Sequence, residues 1–318
     1  MSNHSSVSEV TLLRFSEAWE LEILYFVMFL VIYLSVLMGN ILIIVVVILE
    51  NNLHNPMHFF LMNLSILDVG TISVIIPKAM VNSLLDITTI SYAGCATQVF
   101  FFLFLVGADF ALLTVMAYDR YVAICKPLHY EMVMNRRACI QMACNAWVSG
   151  ILNSIMHTWN MFPFTFCGGN AVDLFFCEVL QLLKLSCSDA YLRELCMLFF
   201  SFCLMLSCFI LIVASYIQIF ITVLRIPSQQ GRHKAFSTCI PHLTVVSLFV
   251  FSATVAYLKP TSHTSTGLDL IVGVIYSVVP PTMNPIIYSI RNKDILAAVR
   301  KLARCLLFPD HRMHILPQ

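Results

Sequence analysis

Ile23–Leu49 reads ILYFVMFLVIYLSVLMGNILIIVVVIL, 27 residues without an Asp, Glu, Lys or Arg. Wound as an α-helix, such a run is about 40 Å long, more than the ~30 Å of hydrocarbon in a bilayer. In lipid the backbone must satisfy its own hydrogen bonds, so the run is expected to be a membrane-spanning helix. Working outward, the chain repeats the pattern. Apolar blocks fall at 22–49, 57–82, 95–125, 138–160, 191–225, 234–258 and 268–290. Several exceed a bilayer's thickness and imply tilt or protrusion. Pro77, Pro163, Pro241, Pro280, Pro281 and Pro285 mark expected kinks or ends. Composition agrees. Of 318 residues 59% are hydrophobic and 11% charged, against about 25% charged in soluble domains. The net charge of +1 gives no electrostatic case for nucleic acid. Disorder is excluded by the apolar content.

The fold class is therefore an all-α membrane protein, a seven-transmembrane bundle. A polar tail, 1–21, precedes the spanning domain, 22–290, and a cytoplasmic segment, 291–318, follows it. Within that segment Asn292–Leu307 sets Leu296, Val299, Leu302 and Leu306 on one face and Lys293, Arg300, Lys301 and Arg304 elsewhere. This is the pattern of a short amphipathic helix lying on an anionic membrane surface. Cys305 there is either palmitoylated or a free thiol. Thirteen of the 18 Lys and Arg fall on the side of the C-terminus, including Arg120, Lys126, Arg136, Arg137, Arg232 and Lys234. The positive-inside rule then puts the C-terminus in the cytoplasm and the N-terminus outside. The sequon Asn3-His4-Ser5 fits an external, glycosylated tail, whereas Asn63-Leu64-Ser65 lies in an apolar block beyond reach of glycosylation. No cleavable signal peptide is visible, and the first apolar block is expected to serve as its own signal. Four cysteines, Cys95, Cys167, Cys177 and Cys187, fall on the oxidising side and are disulfide candidates with three pairings open.

Several stretches, in order, carry a family resemblance. They are Leu53-His54-Asn55-Pro56-Met57-His58-Phe59-Phe60-Leu61 before the second span and Met116-Ala117-Tyr118-Asp119-Arg120-Tyr121-Val122-Ala123-Ile124-Cys125 at the end of the third. Ser215-Tyr216 lies in the fifth, and Lys234-Ala235-Phe236-Ser237-Thr238-Cys239 with His242-Leu243 opens the sixth. Pro281-Thr282-Met283-Asn284-Pro285-Ile286-Ile287-Tyr288 closes the seventh. Together they resemble the vertebrate olfactory (odorant) receptors, a family of rhodopsin-like G-protein-coupled receptors, over about Leu21–Ala303. Two departures stand out: His58 where the family usually has Tyr, and Phe249-Val250-Phe251 where Phe-Tyr-Gly is frequent.

The resemblance implies a non-enzymatic receptor in the plasma membrane. It would bind a small-molecule odorant and raise cyclic AMP through a stimulatory olfactory-type heterotrimeric G protein. It implies the pairs Cys95–Cys177 and Cys167–Cys187. It implies an activation switch at Asp119, Arg120, Tyr121, Tyr216, Asn284, Pro285 and Tyr288, in which Asp119 holds Arg120 until the sixth span swings out. It also implies a ligand chamber in the outer half, matching Phe102, Leu103, Val106, Gly107, Phe110, Phe200, Ser201, Leu204, Phe251, Thr254, Tyr257, Val274 and Ser277. These side chains are apolar, aromatic or hydroxylic, and Phe102 stands where amine receptors of the wider class carry Asp. A neutral, largely apolar volatile fits such a lining.

Asp68 and Asp109 lie deep in apolar blocks, where an ionisable group must face protein or a wet cavity. They are expected either to share a hard cation, sodium, with Ser65 and Asn284 nearby, or to be protonated and hydrogen-bonded between helices. No other cofactor is expected. Cys239 and His242, one turn apart, are two ligands and not a metal site. A transporter would show an internal repeat with matched broken spans, and none is visible. Nor does the chain contain His-Glu-x-x-His, a nucleophile elbow or a phosphate loop.

Overall fold

The computed structural model describes residues 9–16, 18–50, 55–161, 172, 174–185, 188–257, 266–291 and 293–307. The long helices are α1 (Trp19–Leu49), α2 (Pro56–Leu85), α3 (Tyr92–Cys125), α5 (Arg136–Met161), α7 (Ser188–Leu224), α8 (Gln229–Tyr257) and α9 (Thr266–Arg291). Short helices α4 (Tyr130–Val133), α6 (Val179–Leu185) and α10 (Lys293–Leu307) lie between and after them. Six of the seven long helices have the length and apolarity to cross a bilayer by composition alone. The other, α5, has 26 residues but is diluted by polar groups such as Gln141, Asn145, Asn153 and His157. It is clamped between α3 and α7 as the fourth member of the bundle.

Helix starts follow local chemistry. Asn55 caps α2 by accepting from the His58 amide at 3.0 Å, with Pro56 in the first turn, and Ser91 caps α3 by accepting from Gly94 at 3.1 Å. In α9, Pro285 has no N–H to give the Pro281 carbonyl four residues earlier. Asn40 of α1 gives it one instead, at 3.2 Å. The close approach depends on Gly39, where an added Cβ would sit 3.2 Å from the Pro285 ring. A second intimate seam joins α3 and α5. A Cβ on Gly150 would meet the Phe104 carbonyl at 2.5 Å and the Ala108 amide at 2.9 Å, both backbone atoms.

One end of the bundle carries the disulfide Cys95–Cys177, which ties the start of α3 to the loop before α6. Gln98 reinforces it, accepting from the Cys177 amide at 2.8 Å and donating to the Val74 carbonyl at 3.0 Å. Phe175, Phe176 and Cys177 are fully buried there. Strand β1 (Glu9–Thr11) lies antiparallel to β2 (Thr89–Ser91), with Val10 opposite Ile90, and roofs the same end. Asp86 ends α2 in the left-handed region (φ 53°) and pairs with Arg14 at 3.0 Å. At the opposite end α10 packs Ala298, Val299 and Leu302 on Leu42 and Val46 of α1, and Lys301 reaches Glu50 at 2.7 Å. Cys167, Cys187 and Asn3 lie outside the described residues, as does the side chain of Cys305.

Candidate functional site

Two polar constellations and an aromatic one run along the axis between the two ends. At the end opposite the disulfide, Asp119 holds Arg120 through Nε at 3.0 Å and Nη2 at 2.5 Å. Its other oxygen accepts from the Tyr130 hydroxyl at 2.8 Å. Burial, and then the Asp119 carboxylate beside it, pushes the Tyr130 hydroxyl well above the usual tyrosine range, so it remains a donor. Tyr121 packs against the small cluster of Ile219, Val223 and Cys239 that joins α7 to α8. Tyr216 does not bond Arg120. Its hydroxyl meets His242 Nδ1 at 2.7 Å, and His242 Nε2 lies 3.0 Å from the Leu113 carbonyl. That carbonyl can only accept, so Nε2 carries the proton and the Tyr216 hydroxyl donates to Nδ1. One imidazole thus ties α8 to both α3 and α7.

Midway, Asn284 donates to both oxygens of Asp68, at 3.2 and 3.0 Å. Asp109 is buried close enough for its charge to act on Asp68. Asp109 Oδ1, Asn284 Oδ1, Asn40 Oδ1 and the Tyr288 hydroxyl are buried without a hydrogen-bond partner among the described residues. Two carboxylates in a low-dielectric interior repel unless a proton or cation lies between them. The unpartnered oxygens are the hard donors a cation such as sodium takes, so the residues present fit it.

Toward the disulfide end, where the ligand chamber is expected, lies an aromatic cluster. Phe102 meets Phe176 and Tyr276 edge-on at 5.4 and 5.8 Å, and Leu103, Val106 and Val274 pack on the same cluster. Beneath it Phe110 of α3 stacks on Phe249 of α8 at 5.0 Å. Ser277 is buried and donates to the Gly273 carbonyl at 2.6 Å. The other expected lining residues with described side chains are not part of this cluster. Gly107 faces Gly150 on α5, and Phe200, Leu204 and Phe251 are 49%, 47% and 62% exposed. Thr254 is exposed and donates to its own helix at Val250. Tyr257 ends α8, and its side chain lies outside the described residues.

Ser201, an expected lining residue, belongs to a hydrogen-bonded group between α5 and α7. It donates to Asn153 Oδ1 at 2.6 Å and lies 2.8 Å from His157 Nε2, while His157 Nδ1 contacts Glu194. His157 and Glu194 are both buried. Glu194 carried the same signal as Asp68, an acid inside an apolar block, but it lies at the edge of that block. Phe176 was legible only through its neighbour Cys177, and Phe249 only as part of the motif in which Phe251 drew attention.

The profile of the family described as "Olfactory receptor" matches residues 29–305. The chain belongs to the olfactory receptor family. Human Olfactory receptor 14C36 is 48% identical to this receptor over 311 residues, spanning 98% of the chain and 100% of the relative. Human Olfactory receptor 14L1 is 46% identical over 299 residues, 94% of the chain and 92% of the relative. The crystal structure of squid rhodopsin superposes with a TM-score of 0.71 at 18% identity, covering 92% of the receptor and 88% of that chain. This likeness fixes the seven-helix fold. The receptor is thus a multi-pass membrane protein.

Proposed function

We propose that the receptor binds a small, neutral, largely apolar volatile in a chamber at the aromatic cluster near its disulfide end. It then activates a stimulatory olfactory-type heterotrimeric G protein at its opposite end, raising cyclic AMP. In this reading the disulfide end faces outward at the plasma membrane and the Arg120 end faces the cytoplasm. The observation that carries it is that the chamber floor and the latch share two helices. Phe110 and Phe249 stack at the floor, and His242, two turns from Phe249 on α8, holds Tyr216 and the Leu113 carbonyl. A volatile that displaces Phe249 levers α8 and strains that link. Asp119 then releases Arg120 to the G protein and to Tyr216. The ligand shifts the equilibrium only by its differential affinity for the two states, about 1.4 kcal/mol per tenfold.

Sodium fits the midway site, with Asp68, Asp109 and Asn284 as its holders. A cation there supplies counter-charge to two carboxylates and stabilises the arrangement in which they face one another. Replacing sodium by choline is expected to raise basal nucleotide exchange, and Asp109→Asn to abolish that salt effect.

A panel of volatiles tested against cyclic AMP in cells expressing the receptor is the direct test. Some members are expected to raise cyclic AMP, with the response lost in Phe102→Ala at normal surface level. Arg120→Lys is expected to leave binding measurable while cutting nucleotide exchange. Unchanged exchange removes the latch from the account.

A further inference from the structure

A cleft of about 680 Å³ opens at the Arg120 end, away from chamber and latch, where the end of α1 and the beginnings of α2 and α5 meet. That volume lies in the range of small-molecule sites, about 300–1,000 Å³. Its walls are Ile48, Phe59, Met62, Met134, Cys139 and Ile140. Ile48 and Ile140 are 58% and 44% exposed, so the cleft opens on the apolar flank of the bundle that the hydrocarbon covers. Its rim is cationic. Arg136 lines the mouth, is exposed, and has no ion pair among the described residues. The first turns of α2 and α5, at Pro56 and Arg136, also end there, adding the partial positive charge of two helix N-termini. A greasy slot under a cationic rim at the membrane surface is complementary to one kind of molecule, an acyl chain carrying an anionic headgroup.

We propose that this cleft binds an anionic phospholipid of the cytoplasmic leaflet, with its phosphate at Arg136 and an acyl chain between Phe59, Met62 and Ile140. The lipid also braces the resting latch, a consequence that rests on the signalling reading above. Met134 is buried in the cleft wall, and its amide donates to the Tyr130 carbonyl at 2.8 Å. Cys139, also in the wall, donates through Sγ to the Met134 carbonyl at 3.6 Å. Tyr130 in turn holds Asp119 at 2.8 Å, and Asp119 holds Arg120. Filling the slot supports Met134, keeps α4 in place and keeps Tyr130 on Asp119. A lipid that binds this arrangement best favours the resting state by mass action.

The test uses the full-length receptor in bilayer discs of equal phosphatidylserine and phosphatidylcholine, with retained lipid counted by native mass spectrometry. Phosphatidylserine is expected to be retained about five-fold over phosphatidylcholine, as one cationic contact at a membrane surface gives. Arg136→Gln is expected to lose the preference. Ile140→Trp, which fills the slot at an exposed position and leaves Arg136 intact, is expected to retain neither lipid. Equal retention of the two lipids, an undiminished preference in Arg136→Gln, or displacement of phosphatidylserine by added cholesterol overturns the site. Basal nucleotide exchange is expected to be lower in discs containing phosphatidylserine than in phosphatidylcholine alone, with no such difference in Arg136→Gln. Equal exchange in the two bilayers overturns the brace. Retention is read without odorant or G protein, so its failure is distinct from failure of the signalling reading.

Discussion

In α2 and in α3, 56% of the most apolar stretch is buried against protein; in α7 the share is 6%. The first group, with α1 and α5, is locked by backbone-close seams at Gly39 and Gly150, by the disulfide and by Asn40 on α9. By contrast, α7 packs on α3 along one face, through Ile212 and the Ile219 and Val223 cluster, leaves most of its surface open, and carries scattered polar links. They are Tyr216 to His242, Ser201 to Asn153, Glu194 to His157, and the Cys125 thiol to Thr222 at 3.3 Å. A helix packed on several sides resists displacement at every turn, whereas one packed along a single face, with polar links that can be exchanged one at a time, is freer to shift. The bundle thus divides into a frame and a movable flank, and the sites that need to switch lie where the two meet.

Substitutions that break the frame are expected to have the largest effects. Cys95→Ser removes the tie over the disulfide end, on the order of 2–4 kcal/mol. It should abolish surface delivery, measured by labelling an external tag on intact cells. Gly150→Ala puts a methyl group against two backbone atoms that cannot rotate away. It forces α3 from α5 at a cost of about 1–3 kcal/mol, read as a fall in the thermal midpoint of purified receptor. A break at the boundary should act differently. His242→Phe keeps the ring's volume but removes the links to Tyr216 and Leu113, about 1–2 kcal/mol. Basal nucleotide exchange should rise roughly five- to thirty-fold, while the thermal midpoint changes little. If His242→Phe instead unfolds the receptor and leaves exchange unchanged, the distinction between frame and flank is wrong.

The frame was far more legible in the sequence than the flank's inner surface. Block 22–49 became helix 19–49 and block 95–125 became helix 92–125, because a span's length and lack of charge are properties of sequence. The fourth block was legible by its length despite its polar residues, of which Ser154 and His157 face protein while Gln141 and Asn145 are exposed. The chamber was not legible residue by residue. In a soluble helix polarity marks the outer face, but a membrane helix is apolar on both faces, so periodicity carries no sign of which side is inside. Phe249 and Phe251 show the result: two residues apart on α8, one is 8% exposed and stacked on Phe110, the other 62% exposed. Buried acids are the exception, since lipid tolerates them poorly, and Asp68 and Asp109 were found that way. His242 was read only as part of the family stretch that opens the sixth span, because its actual partners, Tyr216 and a backbone carbonyl of α3, come from other helices.

The account's central claim is that ligand arrival near the disulfide end moves α8 away from the frame at the Arg120 end. The most direct measurement places spin labels at exposed Arg137 of α5 and Lys234 of α8 in a receptor whose exposed Cys144 and Cys196 are replaced by Ser. The distance between the labels is then recorded with and without a volatile that raises cyclic AMP, in the presence of G protein. The account predicts a longer distance with the volatile and the unliganded distance in Arg120→Lys without G-protein engagement. An unchanged distance under conditions that raise cyclic AMP would contradict it.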